Sequence, residues 1–109
     1  MNAQEIFDTV ARHLLRQNAC SRYLGDCMYR NPNGLRCAVG ILIPDDKYHE
    51  NIETFDVYHP LVQAALPREV RRHTTLLREL QEVHDEQGPE NWLEALKECA
   101  AQFSLEWRL

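Results

Sequence analysis

The tetrapeptide Asn31-Pro32-Asn33-Gly34 separates two short runs of alternating side chains, residues 27–30 and 35–39. Proline suits the second position of a β-turn, and glycine accepts the positive φ that closes a type I turn with a bulge. Such a turn sets Asn31 opposite Leu35 and thereby fixes the pairing on either side. The sequence therefore predicts a β-hairpin in which Arg30 pairs with Arg36, Tyr29 with Cys37, Met28 with Ala38 and Cys27 with Val39.

Alternation along this hairpin assigns its two faces. The inner face carries the thiols of Cys27 and Cys37, which we expect to be inert packing groups because free cysteine is among the most buried residue types. The outer face carries Arg30 and Arg36 directly opposite each other, together with Met28 and Ala38. Two like charges in this position repel unless an anion or an acidic partner lies over them.

Helical periodicity covers most of the remaining chain. An Asn2/Glu5 capping box opens the first helix, and Pro60 and Pro67 are each placed to open a later one. Gly40 to Ile43 either extends the second strand or forms a single helical turn, and we favour the turn. The predicted fold is mainly α with a small β-hairpin (α+β): four helices packed around a two-stranded antiparallel hairpin in a single domain, residues 1–109. The predicted helices cover about residues 3–19, 60–66, 67–86 and a last segment after Gly88-Pro89, with a long polar loop over residues 44–59.

Composition limits the classes of function. The 109 residues include 12 Lys and Arg against 17 Asp and Glu, a formal net charge of −5, which argues against a broad basic face that holds nucleic acid. No apolar run is long enough for a membrane span, and the first residues do not resemble a signal peptide. We therefore predict a cytoplasmic protein whose four cysteines are reduced, and which binds neither membranes nor nucleic acid.

Several motifs resemble those of small uncharacterised proteins encoded by bacteriophages, prophages and plasmids of Gram-negative bacteria. They are Cys27-x-Tyr29-Arg30, Gly34-Leu35-x-Cys37-Ala38-Val39-Gly40-x-Leu42-Ile43-Pro44-Asp45, Tyr48, Leu76-Leu77-x-x-Leu80-Gln81-x-x-His84-Asp85 and Trp92. Where such proteins carry a Glu-Gly pair, this chain has Glu53-Thr54. The resemblance implies a phage-related origin, hence the cytoplasm of a host cell, and supplies no catalytic assignment.

Metal and nucleophile chemistry find weak support in the spacing of the residues. Cys27 and Cys37 would need two further metal ligands from Cys20, His49 or His59, and the chain has no closely paired ligands of the zinc-finger kind. His84-Asp85 is similar to the doublet of the metal phosphohydrolases named for it, but no later Asp follows. Cys37 lies near the predicted helical turn, yet its inward position favours an unreactive thiol. We predict no enzyme activity, no metal and no cofactor.

Arginines are the candidate binding residues. Arg68, Arg71 and Arg72 lie in the first turns of the long predicted helix, where the helix dipole disfavours cations, so a phosphate or an acidic protein surface would compensate them. The alternative is that Glu69 and other nearby acids pair with them. The predicted ligand- or partner-binding set is Arg30, Arg36, Tyr48, Arg68, Arg71 and Arg72.

Three functions follow from these observations. The leading hypothesis is a non-catalytic phage or mobile-element accessory protein that binds a host protein and inhibits a defence system or another host process. The first alternative is a protein that binds a small nucleotide-like anion. The second is a metal-dependent hydrolase that uses His84 and Asp85 with His59 or His49. Trp107, if exposed, would serve a homodimer or partner contact.

Overall fold

Helix α1 spans Ala3–Gln17 and begins at the predicted capping box. The Asn2 side chain accepts a hydrogen bond from the Glu5 amide at 2.8 Å, and the Glu5 carboxylate accepts one from the Asn2 amide at 2.9 Å. One stripe of the helix is completely buried, and it packs against the two later long helices and the turn at Gly40. The buried stripe consists of Ile6, Phe7, Val10, Ala11 and Leu14.

The remaining elements confirm the predicted fold class, with five α-helices in place of four. The computed structural model describes all 109 residues. None of its helices has the length and apolar character needed to span a bilayer. The further helices are α2 (Pro60–Ala65), α3 (Arg68–Arg71), α4 (Thr74–Glu86) and α5 (Trp92–Gln102), the strands are β1 (Arg22–Tyr23) and β2 (Asp26–Cys27), and single 3₁₀ turns occur at Gly40–Leu42, Glu50–Ile52 and Pro89–Asn91.

The additional helix arises because the predicted helix from Pro67 to Glu86 is interrupted. His73 has φ −111° and ψ 34°, which is not helical, and it separates α3 from α4. The sequence already shows why: between Val70 and Leu76 no apolar side chain occurs at the spacing of three or four that one continuous buried face requires. With the break in place, Val70 in α3 and Leu76 in α4 are both buried.

The turn that begins at Asn31 forms as predicted. Gly34 has φ +86°, and the Asn31 amide donates a hydrogen bond to the Leu35 carbonyl at 3.0 Å. The expected register continues for two residues, because Arg30 bridges Arg36 and the Cys37 amide donates to the carbonyl of Tyr29 at 3.3 Å.

Beyond Tyr29 the two segments separate, and the predicted pairs Met28/Ala38 and Cys27/Val39 are wrong. Val39 adopts right-handed helical dihedrals because the chain already turns into the 3₁₀ helix Gly40–Leu42, which confirms the helical turn favoured from the sequence. Cys27 pairs instead with Arg22 across the β1–β2 hairpin. As a result Ala38 is buried rather than on the outer face, and Cys27 is half-buried rather than enclosed in the core.

The C-terminal tail folds back onto α1. The Trp107 ring meets the Phe7 ring edge-on with centroids 6.1 Å apart, and the Lys97 ammonium lies 5.7 Å from the centre of the Trp107 ring. Gln4 fixes the same tail through hydrogen bonds to both backbone groups of Glu106. Trp107 is thus half-buried against its own chain, whereas its predicted role in a homodimer or partner contact required an exposed side chain.

Replacement of Gly40 by alanine tests why residues 27–30 and 35–39 separate beyond Tyr29. A Cβ at position 40 would overlap the backbone carbonyl of Tyr29, which no side-chain rotation can relieve. We expect Gly40→Ala to lower the free energy of unfolding by about 3 kcal/mol or more, measured by urea denaturation. The control is Gly88→Ala, whose Cβ would meet only the movable side chain of Glu90. Equal losses in the two variants would contradict this explanation.

His13 provides a pH test of the contact between α1 and the second predicted strand. Its ring Nε2–H donates to the Arg36 carbonyl at 2.9 Å, and burial lowers the His13 pKa below its usual 6.5. The unfolded chain therefore binds the proton more readily than the folded chain. We expect the contribution of His13 to the free energy of unfolding to be fully present above pH 6.5. This contribution should fall as the pH decreases from 6.5 through the pKa of His13 in the folded chain.

The measurement is the free energy of unfolding at pH 7.5 and pH 5.0 for the native chain and for His13→Gln, whose amide donates without titrating. The variant should lose less stability over this interval than the native chain. His73→Gln is the matched control, since the His73 side chain makes no hydrogen bond. A native chain and a His13→Gln variant with the same pH dependence would refute the assignment.

Candidate functional site

A cavity of about 240 Å³ opens where three parts of the chain meet. The segment from Cys27 to Cys37 supplies its inner wall. The loop over residues 53–58 supplies its rim, and one side of α4 supplies the opposite wall. The lining side chains are Cys27, Tyr29, Cys37, Glu53, Phe55, Asp56, Val57, Tyr58, Arg78, Gln81, Glu82 and Asp85. The cavity therefore combines aromatic groups, thiols and four carboxylates.

The rim of the cavity is fixed at three points. The Tyr29 hydroxyl donates to the Phe55 carbonyl at 2.6 Å, and burial raises the pKa of Tyr29 above its usual value, so the hydroxyl keeps its proton. The Gln63 amide donates to the Val57 carbonyl, also at 2.6 Å. The ring of Phe55 stacks on His59 with centroids 3.8 Å apart. A ligand would therefore meet a rim that is already ordered.

Glu53 joins this loop to the hairpin. Its carboxylate accepts the backbone amides of Tyr29 at 2.8 Å and Arg30 at 3.1 Å, and it also accepts the hydroxyl of Tyr48. Hydrogen bonds to an ionised acceptor are stronger than those between neutral groups. The sequence marks Glu53 only as one acidic residue of the polar loop and as the residue before Thr54, because its backbone partners lie 23 and 24 residues away in the chain.

His84 and Asp85 belong to α4; Asp85 lines the cavity, and His84 is completely buried behind it. The Ser21 amide donates to Nε2 of His84 at 2.9 Å, so Nδ1 carries the ring proton and donates it to Asp85 at 2.7 Å. Sγ of Cys27, a ring nitrogen of His84 and a carboxylate oxygen of Asp85 lie within 4.8 Å of one another.

These three groups do not suit a metal ion. If Nδ1 of His84 bound a cation, its proton would move to Nε2 and face the N–H of Ser21, placing two donors against each other in a buried site. The other predicted histidine ligands also have structural partners, since His49 and His59 accept backbone amides from Asn51 and Leu61 at 3.1 Å. The geometry gives no support to the hydrolase alternative.

Asp85 keeps a negative charge on the α4 wall of the cavity. Burial alone would raise the pKa of Asp85, but the hydrogen bonds from His84 and Gln81, both 2.7 Å, outweigh it and hold the pKa below its usual value. Both donors use Oδ1, and no N–H group of the chain donates to Oδ2; the weakly donating thiol of Cys27 also lies against the carboxylate. The side chain is 35% exposed, so Asp85 is accessible from the cavity.

The thiols in the cavity are poor nucleophiles at neutral pH. Burial, reinforced by the charge of Asp85, raises the pKa of Cys27 to about 11. Burial raises the pKa of Cys37 to about 12, although the Gly40 amide, which donates to its sulfur at 3.3 Å, partly offsets that effect. Since the thiolate is the reactive form, both cysteines act as packing groups.

Three of the predicted binding residues, Arg30, Arg36 and Tyr48, lie close together outside the cavity, beside the turn that begins at Asn31. Asp45 lies over the opposed arginines, 2.8 Å from Arg30 and 3.3 Å from Arg36, and relieves their repulsion. Arg30 also donates to the Ile43 carbonyl at 2.8 Å, and its guanidinium lies 4.6 Å from the centre of the Tyr48 ring. The acidic partner that this pair requires is therefore part of the same chain.

The other predicted arginines lie elsewhere. Arg71 donates to the Leu66 carbonyl at 2.9 Å and so satisfies the C-terminal end of α2. Arg68 and Arg72 are exposed, and Glu69 pairs with the amino group of Met1 rather than with either of them. None of these arginines lines the cavity.

Glu53→Gln tests whether the carboxylate holds the loop against the hairpin. A glutamine amide can replace one oxygen, but its NH₂ group would then face the amide of Arg30 or of Tyr29. We expect a loss of about 2 kcal/mol in the free energy of unfolding, measured by urea denaturation. The exposed neighbour Glu50, changed to Gln, should alter stability by less than about 0.5 kcal/mol. Similar effects at the two positions would show that Glu53 has no special role.

No known protein family, curated protein or solved structure matches this chain. The resemblance to small phage-, prophage- and plasmid-encoded proteins therefore remains a prediction from motifs. What the site can bind follows from its shape, its charge and the apolar side chains that surround it.

Proposed function

We propose that this protein is a non-catalytic binding protein that docks another protein on the surface around the cavity. The resemblance to phage and mobile-element proteins makes the partner a protein of the host cell, whose defence or other process would be inhibited. An exposed apolar surface continuous with the cavity supports this proposal.

The docking surface consists of four exposed side chains, two at the tip of the β1–β2 hairpin and two on the rim of the cavity. Tyr23 and Leu24 at the tip of the β1–β2 hairpin are 44% and 87% exposed, and Phe55 and Tyr58 on the rim are 36% and 52% exposed. A second depression, formed by the hairpin tip and Met28, shares Cys27 and Glu53 with the cavity wall. Exposed aromatic and aliphatic groups grouped in this way are typical of protein interfaces.

Leu24 is the strongest single observation for this surface. Its φ of +50° lies in the left-handed region, which costs a leucine about 1 kcal/mol, and Gly25 follows with φ +89°. The side chain is also almost completely in water, so neither backbone conformation nor core packing favours leucine here. A contact with a partner supplies the missing reason, since an apolar anchor gains free energy when a partner buries it.

The other two functions find less support in the geometry. A nucleotide-like anion would need cations grouped at a cavity, whereas Arg30 and Arg36 are paired with Asp45, the exposed Arg68 and Arg72 line no cavity, and the cavity described above carries four carboxylates. Metal-dependent hydrolysis would need a nitrogen of His84 that Ser21 and Asp85 already occupy.

Site-specific photo-crosslinking in a Gram-negative cell tests the docking surface. A photoreactive phenylalanine analogue replaces Phe55, and a matched chain carries it at Glu94, which is 78% exposed and lines no part of the cavity. We expect one discrete adduct with a host protein from position 55 and none from position 94. Mass spectrometry identifies the captured protein.

The variant Leu24→Asn then separates binding from folding. Asparagine tolerates the left-handed conformation, so this change should leave stability unchanged or raise it by about 0.5–1 kcal/mol. It should nevertheless reduce the adduct from position 55 by at least about fivefold, because it removes the anchor. Absence of any adduct, equal adducts from positions 55 and 94, or an adduct insensitive to Leu24→Asn would contradict the proposed function.

A further inference from the structure

We propose that the cavity accepts one lysine side chain from the docked protein, with the ammonium group beside Asp85 and the aliphatic stem against the aromatic rim. This inference rests on the proposed function, because the lysine belongs to the partner that the docking surface holds. It specifies the chemistry of the segment that enters the cavity.

The charge of the cavity selects a cation. Its lining contains the carboxylates of Glu53, Asp56, Glu82 and Asp85 against a single cation, Arg78, which gives a formal charge of −3. Arg78 is already engaged with Glu82 at 3.3 Å. The groups that surround this space therefore attract a positive group and repel a phosphate or carboxylate.

The size of the cavity suits one long side chain. Pockets for whole small molecules usually begin at about 300 Å³, whereas this one measures about 240 Å³. Tyr29, Phe55 and Tyr58 provide an apolar wall for methylene groups, and their rings can also attract a cation. A long side chain with an apolar stem and a charged end satisfies both properties.

The hydrogen bonds of Asp85 favour lysine over arginine. A guanidinium binds a carboxylate best through two parallel hydrogen bonds to its two oxygens. Oδ1 of Asp85 already accepts from His84 and Gln81, which leaves only Oδ2 without an N–H donor. An ammonium group needs only one such oxygen, because it acts as a compact point charge.

The test uses the peptide acetyl-Gly-Gly-Lys-Gly-Gly-amide, titrated into the whole chain and followed by backbone amide chemical shifts. Two further peptides replace its lysine by norleucine, which keeps the stem without the charge, and by arginine. We expect saturable shifts confined to the loop over residues 53–58 and the Gln81 end of α4. The norleucine peptide should bind at least about tenfold more weakly, and the arginine peptide more weakly than the lysine peptide.

Two variants of the chain locate the ammonium. Asp85→Asn should weaken binding of the lysine peptide by about fivefold or more. Because Asp85 also orients His84, the second variant is Asp56→Asn, which keeps the acceptor for the Tyr58 amide and removes only the charge, with an expected twofold to threefold loss. Glu94→Gln removes an exposed charge outside the cavity and should leave the affinity unchanged.

Equal affinities for the lysine and norleucine peptides, shifts outside the cavity, or insensitivity to both aspartate variants would overturn the proposal. If the lysine peptide fails while the crosslink at position 55 still depends on Leu24, the docking surface stands and the lysine is excluded. If the lysine peptide binds as expected and no crosslink forms, the cavity is a lysine site and the proposed docking function falls.

Discussion

The carboxylate of Glu53 is the group on which the architecture around the cavity depends. It accepts two backbone amides from the hairpin, those of Tyr29 and Arg30, and a hydroxyl from Tyr48. Without it these amides would face the polar loop unpaired, and a buried unpaired amide costs about 1–3 kcal/mol. The loop over residues 44–59 contains one short 3₁₀ turn and several local turn hydrogen bonds, and it is attached to the rest of the fold by the bonds of Glu53 and by the buried side chains of Ile52 and Val57.

His84 illustrates how titratable groups in this fold serve as structural links. The imidazole is completely enclosed, accepts the amide of Ser21 and donates to Asp85, and so connects the end of α4 to the segment that precedes β1. Gln81, one helical turn earlier, makes a parallel connection between Asp85 and the amide of Val39. The doublet that resembles a metal motif in the sequence is thus explained by the backbone groups that these side chains satisfy.

Local signals in the sequence predict local structure well. The Asn31 turn, the capping box of α1 and the helical turn at Gly40 depend on neighbouring residues, and each forms as expected. The separation of residues 27–30 from residues 35–39 beyond Tyr29 was not predictable in this way. It depends on the close approach of Gly40 to the carbonyl of Tyr29, eleven residues earlier in the chain. Tertiary contacts of this kind override an alternation pattern that by itself favours a longer hairpin.

The candidate site was less accessible to sequence reasoning than the fold. Opposed arginines on a hairpin indicate that an acid or anion is needed, but not that Asp45 of the same chain supplies it. Likewise, the carboxylates of the cavity come from distant segments, and no spacing rule places Glu53 near Asp85. Only the assembled fold shows that four of the chain's carboxylates line an open, partly aromatic cavity.

Two features of the free protein coincide with the proposed docking surface and the cavity beside it. Leu24 is strained and exposed, and the residues that line the cavity carry a formal charge of −3. A partner that buries the leucine would offset its strain, and a cation placed among the carboxylates would be attracted by their charge. By linkage, whatever binds the folded chain in this way also stabilises it, so the same contacts that provide affinity would offset the strain carried by the unbound protein.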